Sequence, residues 1–530
     1  MLGMNKLNSI LLLPLFLLPA LFSLFASLSA YSLWDDETMV GLVAQGVLKT
    51  GDTTAVIDHN VVAYREGIAL VGLKDRFSPP LATYLVALAF WMFGPSSWAA
   101  RVPFAILGLL TLLLVWFWLN KEKVGLLFRF ILSIGIIGNA SLFLYYRQAR
   151  YYALVLFFTI LIGYLYLRPK KTKIWAATLG VSFVALFLSH PLACAALGVA
   201  LLFDVLLYRR TWLQNVAAHW FWLFIAPSLL ISLSMLIWNP YMTKTADYQS
   251  QISLVDRLTL FLWTWRDILS AEFIAPVPVV FALITGFLRK EALPLRCLQA
   301  IFLIIAVVCT ATHQMVSVTS VSDIRYVISI IPIGIFLGSW GIYAALGKYP
   351  WIGLLFAVFV FWTNLFNGNL FRDQAFRSTP LLFWHELIYP NPEPYAPTSD
   401  WIRKHVLPRS SIWVLPDYMT YPLMFHAPEA TYAWQLNSIQ RTDLQYVSLP
   451  DIHFKGNGMP DYVIAFGPVV EQVRRLMGQW AMQGFRYNEE TRILSFWKDL
   501  YRPELFWRTF NPIENFDPNT EAIYIFKRQP

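Results

Sequence analysis

Long apolar runs separated by short polar interruptions fill the first two thirds of the chain, and the rhythm stops near residue 367. The runs cover about residues 10–31, 99–119, 124–145, 151–167, 174–188, 192–207, 216–238, 274–288, 297–312, 326–346 and 351–366. Each is near the length a helix needs to cross a bilayer. They predict a polytopic α-helical membrane protein with about 11 spans, up to 13. The first run is small-residue-rich at its end, but its length and the runs that follow predict an uncleaved anchor rather than a leader. Residues 78–94 form a shorter apolar run that opens on Pro79-Pro80 and carries Tyr84 and Trp91. From residue 368 prolines, charges and short alternating segments take over. Strands are expected at 411–415, 462–466, 492–497 and 522–527, and helices from 399–405 and over 469–484. That alternation predicts a small α/β domain over 368–530, after a membrane part over 1–367. There is no internal repeat and no low-complexity tract.

Residues 32–51 follow the first run and begin a different texture. Asp35, Asp36 and Glu37 stand in a row beside the predicted bilayer surface. Such charges are costly there unless something cationic or catalytic faces them. Met39, Val40, Leu42, Val43, Val47 and Leu48 follow at helical spacing, which predicts an amphipathic helix on the interface. Acids that simply favour the positive end of that helix are the plainer alternative.

Composition agrees with the pattern. Of 530 residues, 57% are hydrophobic and 14% charged, against about 25% charged in soluble domains. Residues 368–530 carry 16 Lys/Arg against 17 Asp/Glu, which leaves 25 against 15 for the membrane part. That excess lies in short connectors around residues 121–123, 168–173, 209–210, 289–296 and 348. It reads as an orientation signal and not as a nucleic-acid surface. Cys194, Cys297 and Cys309 all fall in apolar runs, so no disulfide framework or cysteine metal site is implied. Parity then decides residues 78–94. If they do not cross, every basic connector shares the cytoplasmic side with Lys6. The first outer loop is then 32–98 with an interfacial or re-entrant segment in it, and residues 368–530 are also outside. The outer side collects the acid cluster, Arg76, Arg147, Arg150, His190, residues 241–273 and 313–325.

These residues carry a family resemblance. Asp36-Glu37 follows the first span. Ser78-Pro79-Pro80-Leu81, Phe93-Gly94 and Ala99-Ala100-Arg101-Val102-Pro103 come next. Arg147-Gln148-Ala149-Arg150 and Arg325-Tyr326, six residues before Pro332, complete the order. Over about residues 8–335 the chain resembles the membrane GT-C glycosyltransferases, in the protein O-mannosyltransferase and lipid A aminoarabinose transferase group. The resemblance implies transfer of a sugar from a polyprenyl-phosphate donor to a lipid, glycan or protein acceptor at the extracytoplasmic face. The membrane would be the bacterial inner (plasma) membrane. It implies Asp36 as general base and Glu37 as its helper or a metal ligand, with Asp35 left to cap the helix. One carboxylate suffices for a single inverting displacement when cations neutralise the leaving phosphate.

The same comparison makes Arg147 and Arg150 donor-phosphate contacts, since guanidinium forks suit phosphate; snorkelling interface arginines are the alternative. Arg325 and Tyr326 resemble donor contacts, with a local Asp323–Arg325 ion pair as the alternative. His190, before Pro191, reads as a phosphate contact, a metal ligand or a turn residue. Ser78 stands where some relatives have a phosphate-binding Lys, and Arg76 is the nearest substitute. Tyr152 stands where many relatives have an acid, which leaves the divalent metal open. No Gly-rich nucleotide loop is present, which disfavours ATP or a nucleotide sugar. The rival reading is a transporter or flippase of polyprenyl-linked lipids, which would more typically show inverted repeats.

Overall fold

The computed structural model describes residues 15–168, 171–239, 253–311, 323–372, 375–439, 444–495 and 522–530. Lys6, residues 10–14 of the first run, 169–170 of a basic connector, 240–252 and 313–322 of the expected outer loops, and 496–497 of an expected strand lie outside them.

Each apolar run is helical over most of its described residues, the first ending in a turn at 26–31, and local chemistry sets most boundaries. Helix α1 is Leu15–Phe25, α2 is Asp35–Thr50, α3 is Pro80–Phe93 and α4 is Ser97–Lys121. Ser96 caps α4 by accepting from the Ala99 amide at 3.1 Å. Run 124–145, expected as one span, is helical in two pieces, α5 (Leu126–Ile137) and α6 (Ala140–Tyr146), bent by 66°. Asn139 caps the second half through the Leu142 amide (2.8 Å), and Gly138 lies so close to Phe361 that a Cβ would sit 2.5 Å from its carbonyl oxygen. Helices α7 (Tyr152–Leu167), α8 (Lys173–Ser189) and α9 (Pro191–Tyr208) follow, with Thr172 capping α8. Helix α10 (Trp212–Ile237) contains a π turn at Phe221–Ile225. Pro227 just beyond it lacks an amide and crowds the carbonyl four residues back, a reason for the ladder to loosen there. Then come α11 (Leu254–Ser270), α12 (Pro276–Arg289), α13 (Leu293–Ala311), α14 (Ile330–Leu346) and α15 (Pro350–Trp362).

Among the described residues four helices are long and apolar enough to cross a membrane, five if the bent pair α5–α6 counts as one span, and seven more are apolar but shorter. The segment at 78–94 is one of the short ones, 14 residues long.

The first loop departs from expectation. Helix α2 forms, but it is not a half-solvated interfacial helix. Ten of its residues are buried, because α3 packs on one side and α18 (Thr420–His426), with α16 (Thr379–Ile388) and α17 (Tyr395–His405) before it, on another. Gly41 permits the second approach, since its Cβ would stand 3.1 Å from the Phe425 ring. Two hairpins of two-residue strands, β1–β2 (Val56–Ile57, Asn60–Val61) and β3–β4 (Leu70–Val71, Lys74–Asp75), complete the loop.

The later part is an α/β layer. Strands β5 (Ser411–Leu415), β6 (Thr431–Tyr432), β7 (Tyr462–Phe466), β8 (Tyr487–Leu494) and β9 (Ala522–Arg528) pair in the order β6-β5-β7-β9-β8. β5 is parallel to β6 and β7, and β9 is antiparallel to its neighbours. Strand alternation splits β5 between two cores. Ile412 and Val414 join the core that includes the membrane helices, while Trp413 and Leu415 join Val473 and Met477 of α19 (Val470–Met482). The helix expected to start at Ser399 begins at Tyr395, because the Glu393 carboxylate takes the Tyr395 and Ala396 amides at 2.8 and 2.9 Å. Asn60 ties the first loop to this layer, bonding Ala430 O (2.9 Å) and the Tyr432 amide (2.8 Å).

Candidate active site

The three acids open α2 and point in three directions, as residues about 100° apart on a helix must. Trp34, not Asp35, is the cap residue, so the capping role expected of Asp35 is not found. Asp35 is buried and faces Tyr421 of α18, whose hydroxyl is held well above its usual range by burial and by Asp35 and Asp417.

Asp36 turns toward two arginines. Its Oδ2 lies 3.0 Å from Arg150 Nη2 and 3.1 Å from Arg325 Nη1. Its carboxylate stays about a fifth exposed. Arg150 stacks over the rings of Tyr151 (5.3 Å) and Tyr152 (6.0 Å). Arg325 forks onto Asp323, with Nε to Oδ1 at 2.8 Å and Nη2 to Oδ2 at 2.6 Å. The local Asp323–Arg325 pair and the contact with the acid loop therefore coexist on one guanidinium. His190 joins the edge of the group, 4.4 Å from the Tyr151 ring and 5.8 Å from the Tyr326 ring. Its Nδ1 accepts from the Ala193 amide at 3.0 Å and caps α9, which places the proton on Nε2. Burial and the Arg150 charge push its pKa down to about 3, so the imidazole is neutral. The structure thus brings together Asp36, Arg150, Arg325, Tyr326 and His190.

It does not bring Glu37, Arg147 or Arg76 there. Glu37 is fully buried and takes Arg101 through both oxygens, at 2.9 and 2.5 Å. Arg101 also donates to the carbonyls of Leu28, Tyr31 and Ser32 at 3.1, 2.8 and 3.0 Å. The same carboxylate accepts the Ala149 amide at 2.8 Å, one residue before Arg150. Glu37 is thus bound to Arg101 and to the loop just before Arg150, and is not placed beside Asp36 Oδ2 as the helper expected of it. Arg147 donates to Ser23 O at 3.0 Å and lines a separate polar cavity with Glu37, Arg101, Gln148 and Glu386. A non-helical turn between α6 and α7 separates the two arginines, so their spacing of three gives no shared face. Arg76 forks onto Asp52 (2.7 and 2.7 Å) and reaches Thr53 Oγ1 (2.9 Å), inside the first loop. Those bonds, with Lys74, hold the Asp52 carboxyl well below its usual range.

Sequence reasoning missed the work of Arg101, although it stands in the quoted Ala-Ala-Arg-Val-Pro motif; an arginine inside an apolar run is the signal. It also missed Gln148 and Trp34. Gln148 is 3% exposed, and neither its amide nor Trp34 Nε1 has a hydrogen-bond partner among the described residues, though both line that second cavity.

The group does not suit a metal. Among the described residues no three His, Cys, Asp or Glu side chains converge. Two guanidiniums on Asp36 repel a dication, and Tyr152 offers no carboxylate.

No family model matches the chain, and no curated protein does. Solved structures do. ArnT from Cupriavidus metallidurans in the apo state superposes with a TM-score of 0.55 at 13% identity, over 97% of each chain. The same protein bound to undecaprenyl phosphate gives 0.50 at 14%, again over 97% of each. The archaeal oligosaccharyltransferase AglB from Archaeoglobus fulgidus, in complex with an inhibitory peptide and a dolichol-phosphate, gives 0.48 at 11%, over 87% of this chain and 69% of that one. The chain has the fold of ArnT, the GT-C fold to which its motifs pointed.

Proposed function

We propose that the protein is a membrane glycosyltransferase that moves a sugar from a polyprenyl-phosphate donor to a hydroxyl on a lipid, glycan or protein acceptor. The observation that carries this reading is one carboxylate oxygen, Asp36 Oδ2, held by two guanidiniums with ring-lined surroundings. The ArnT structure with bound undecaprenyl phosphate supports the donor class. The residues would act in exchange. The donor phosphate takes Arg150 and Arg325 in charge-assisted hydrogen bonds. Asp36, released from them, accepts the acceptor hydroxyl proton. The hydroxyl oxygen attacks the anomeric carbon, the bond from that carbon to the phosphate oxygen breaks, and its electron pair stays on that oxygen, whose charge Arg150 and Arg325 stabilise as the phosphate leaves. A single attack of this kind inverts the anomeric centre. Neutral His190 supplies an Nε2–H donor beside the same rings.

The sidedness proposed is extracytoplasmic for the site and for residues 368–530, which would cover it, with the catalytic membrane part at 1–367. Support comes from α7, α8 and α9, each with one end at the site and the other at a basic connector. The test is donor consumption by the purified protein across a panel of polyprenyl-phosphate sugars. Asp36→Asn is expected to lower transfer by at least about a hundredfold while the variant still binds donor. Full transfer by Asp36→Asn, or no turnover of any lipid-linked sugar by the native protein, would overturn the proposal.

A further inference from the structure

The far ends of α7, α8 and α9 carry a second charged cluster, unrelated to the Asp36 chemistry. These helices have 16, 17 and 18 residues, which puts their ends roughly 24–27 Å apart. Arg168 closes α7, Lys171 precedes α8 and Arg209 closes α9. Each cation rests on a ring. Arg168 is 5.7 Å from Tyr164, Arg209 is 5.3 Å from Tyr166, and Lys171 is 4.6 Å from Trp175 and 5.8 Å from Trp212. Lys171 Nζ also donates to Tyr166 O at 2.9 Å.

None of the three has a carboxylate partner among the described residues. Asp204, on the same end of α9, is already taken. Arg296 grips it through Nε and Nη2 at 2.6 Å each, and the Tyr166 hydroxyl donates to it at 2.5 Å. Burial first, and then the charges of Arg209 and Arg168, push Lys171 down to about 8. The surface beside them is apolar and open. Ile174 is 80% exposed and Leu207 58%, and almost none of α10 is buried by protein. Charge at one depth with exposed hydrocarbon directly beside it matches one kind of molecule, an amphiphile with an anionic head.

We propose that Arg168, Lys171 and Arg209 bind the phosphate of an anionic phospholipid, whose acyl chains lie along the exposed face of α10. The site is on the membrane surface opposite the Asp36 site. It favours a headgroup of net negative charge over a zwitterionic one, because an ammonium on the headgroup would meet three fixed cations.

Native mass spectrometry of the full-length protein, equilibrated with equal amounts of phosphatidylglycerol and phosphatidylethanolamine, reads this directly. Phosphatidylglycerol is expected to be retained severalfold over phosphatidylethanolamine. Lys171→Gln and Arg209→Gln should each cut that preference about fivefold. Arg210→Gln, an exposed arginine next to the cluster, should leave it unchanged. Thermal melts of the native protein with each lipid need no variant, and phosphatidylglycerol is expected to stabilise more. Equal retention and equal stabilisation by the two lipids would overturn the site. So would an Arg210→Gln effect as large as the other two, which would mean diffuse surface charge, or displacement of the lipid by millimolar inorganic phosphate.

Discussion

Arg325 faces two carboxylates at once, Asp323 through a fork and Asp36 through its remaining nitrogen. Only a planar guanidinium offers that set of donors. Arg325→Lys keeps the charge and loses the fork, so donor affinity is expected to fall by about 1–3 kcal/mol, read as a raised donor Kd. Glu37 teaches a different lesson. Glu37→Gln would leave Arg101 as a buried charge without its carboxylate, at a cost of about 3–5 kcal/mol. A melt of the purified variant measures it, and the loss should appear in stability even with no substrate present. Asp36, Arg150, Arg325 and Tyr326 were legible through the motifs that carry the family resemblance, and His190 through the cost of a histidine at a turn in an otherwise apolar stretch. The sequence could not separate Glu37 from Asp36, because the separating partner is 64 positions away. Nor could it separate Arg147 from Arg150, because the two are alike in chemistry and the partner that holds Arg147 elsewhere, the Ser23 carbonyl, is 124 positions away.

At the scale of elements, the long apolar runs were readable because unbroken apolar length decides them. What escaped were the short pieces. Strands of two residues have no period, and the 66° break at Asn139 depends on Phe361, more than two hundred positions later. Burial of α2 escaped for the same reason, since α18 arrives from the far end of the chain. That packing has a pH signature. The Leu33 amide donates to His426 Nε2 at 3.2 Å, just before the acid row. Burial, with Arg101 and Arg403 nearby, pushes the pKa of His426 down to about 4, from 6.5 when free. The unfolded chain therefore binds the extra proton first as pH falls. Stability is full above about 6.5 and is lost between there and about 4, at no more than about 1.4 kcal/mol per pH unit. His426 is partly exposed, so the real slope is shallower. Melting temperature against pH should show this loss, and His426→Gln should flatten it.

At the scale of the molecule, one core runs from the first helix to the sheet, joining Leu24 of α1 to Ile464 of β7. The α/β layer is thus fastened to the membrane helices and is not a tethered appendage. The helices that frame the site are also short. At 16 and 17 residues, α7 and α8 reach roughly 24–26 Å, less than the roughly 30 Å of ordinary hydrocarbon. The lipid around them has to yield, pinching inward where the protein is thinnest. If the proposed donor is the substrate, its long isoprenoid would gain from that pinch, because the dimple would draw its headgroup toward Arg150 and Arg325 without any motion of the protein. Turnover should therefore be fastest in bilayers of short acyl chains and slow as chains lengthen, and a series of reconstituted membranes of graded thickness would trace the curve.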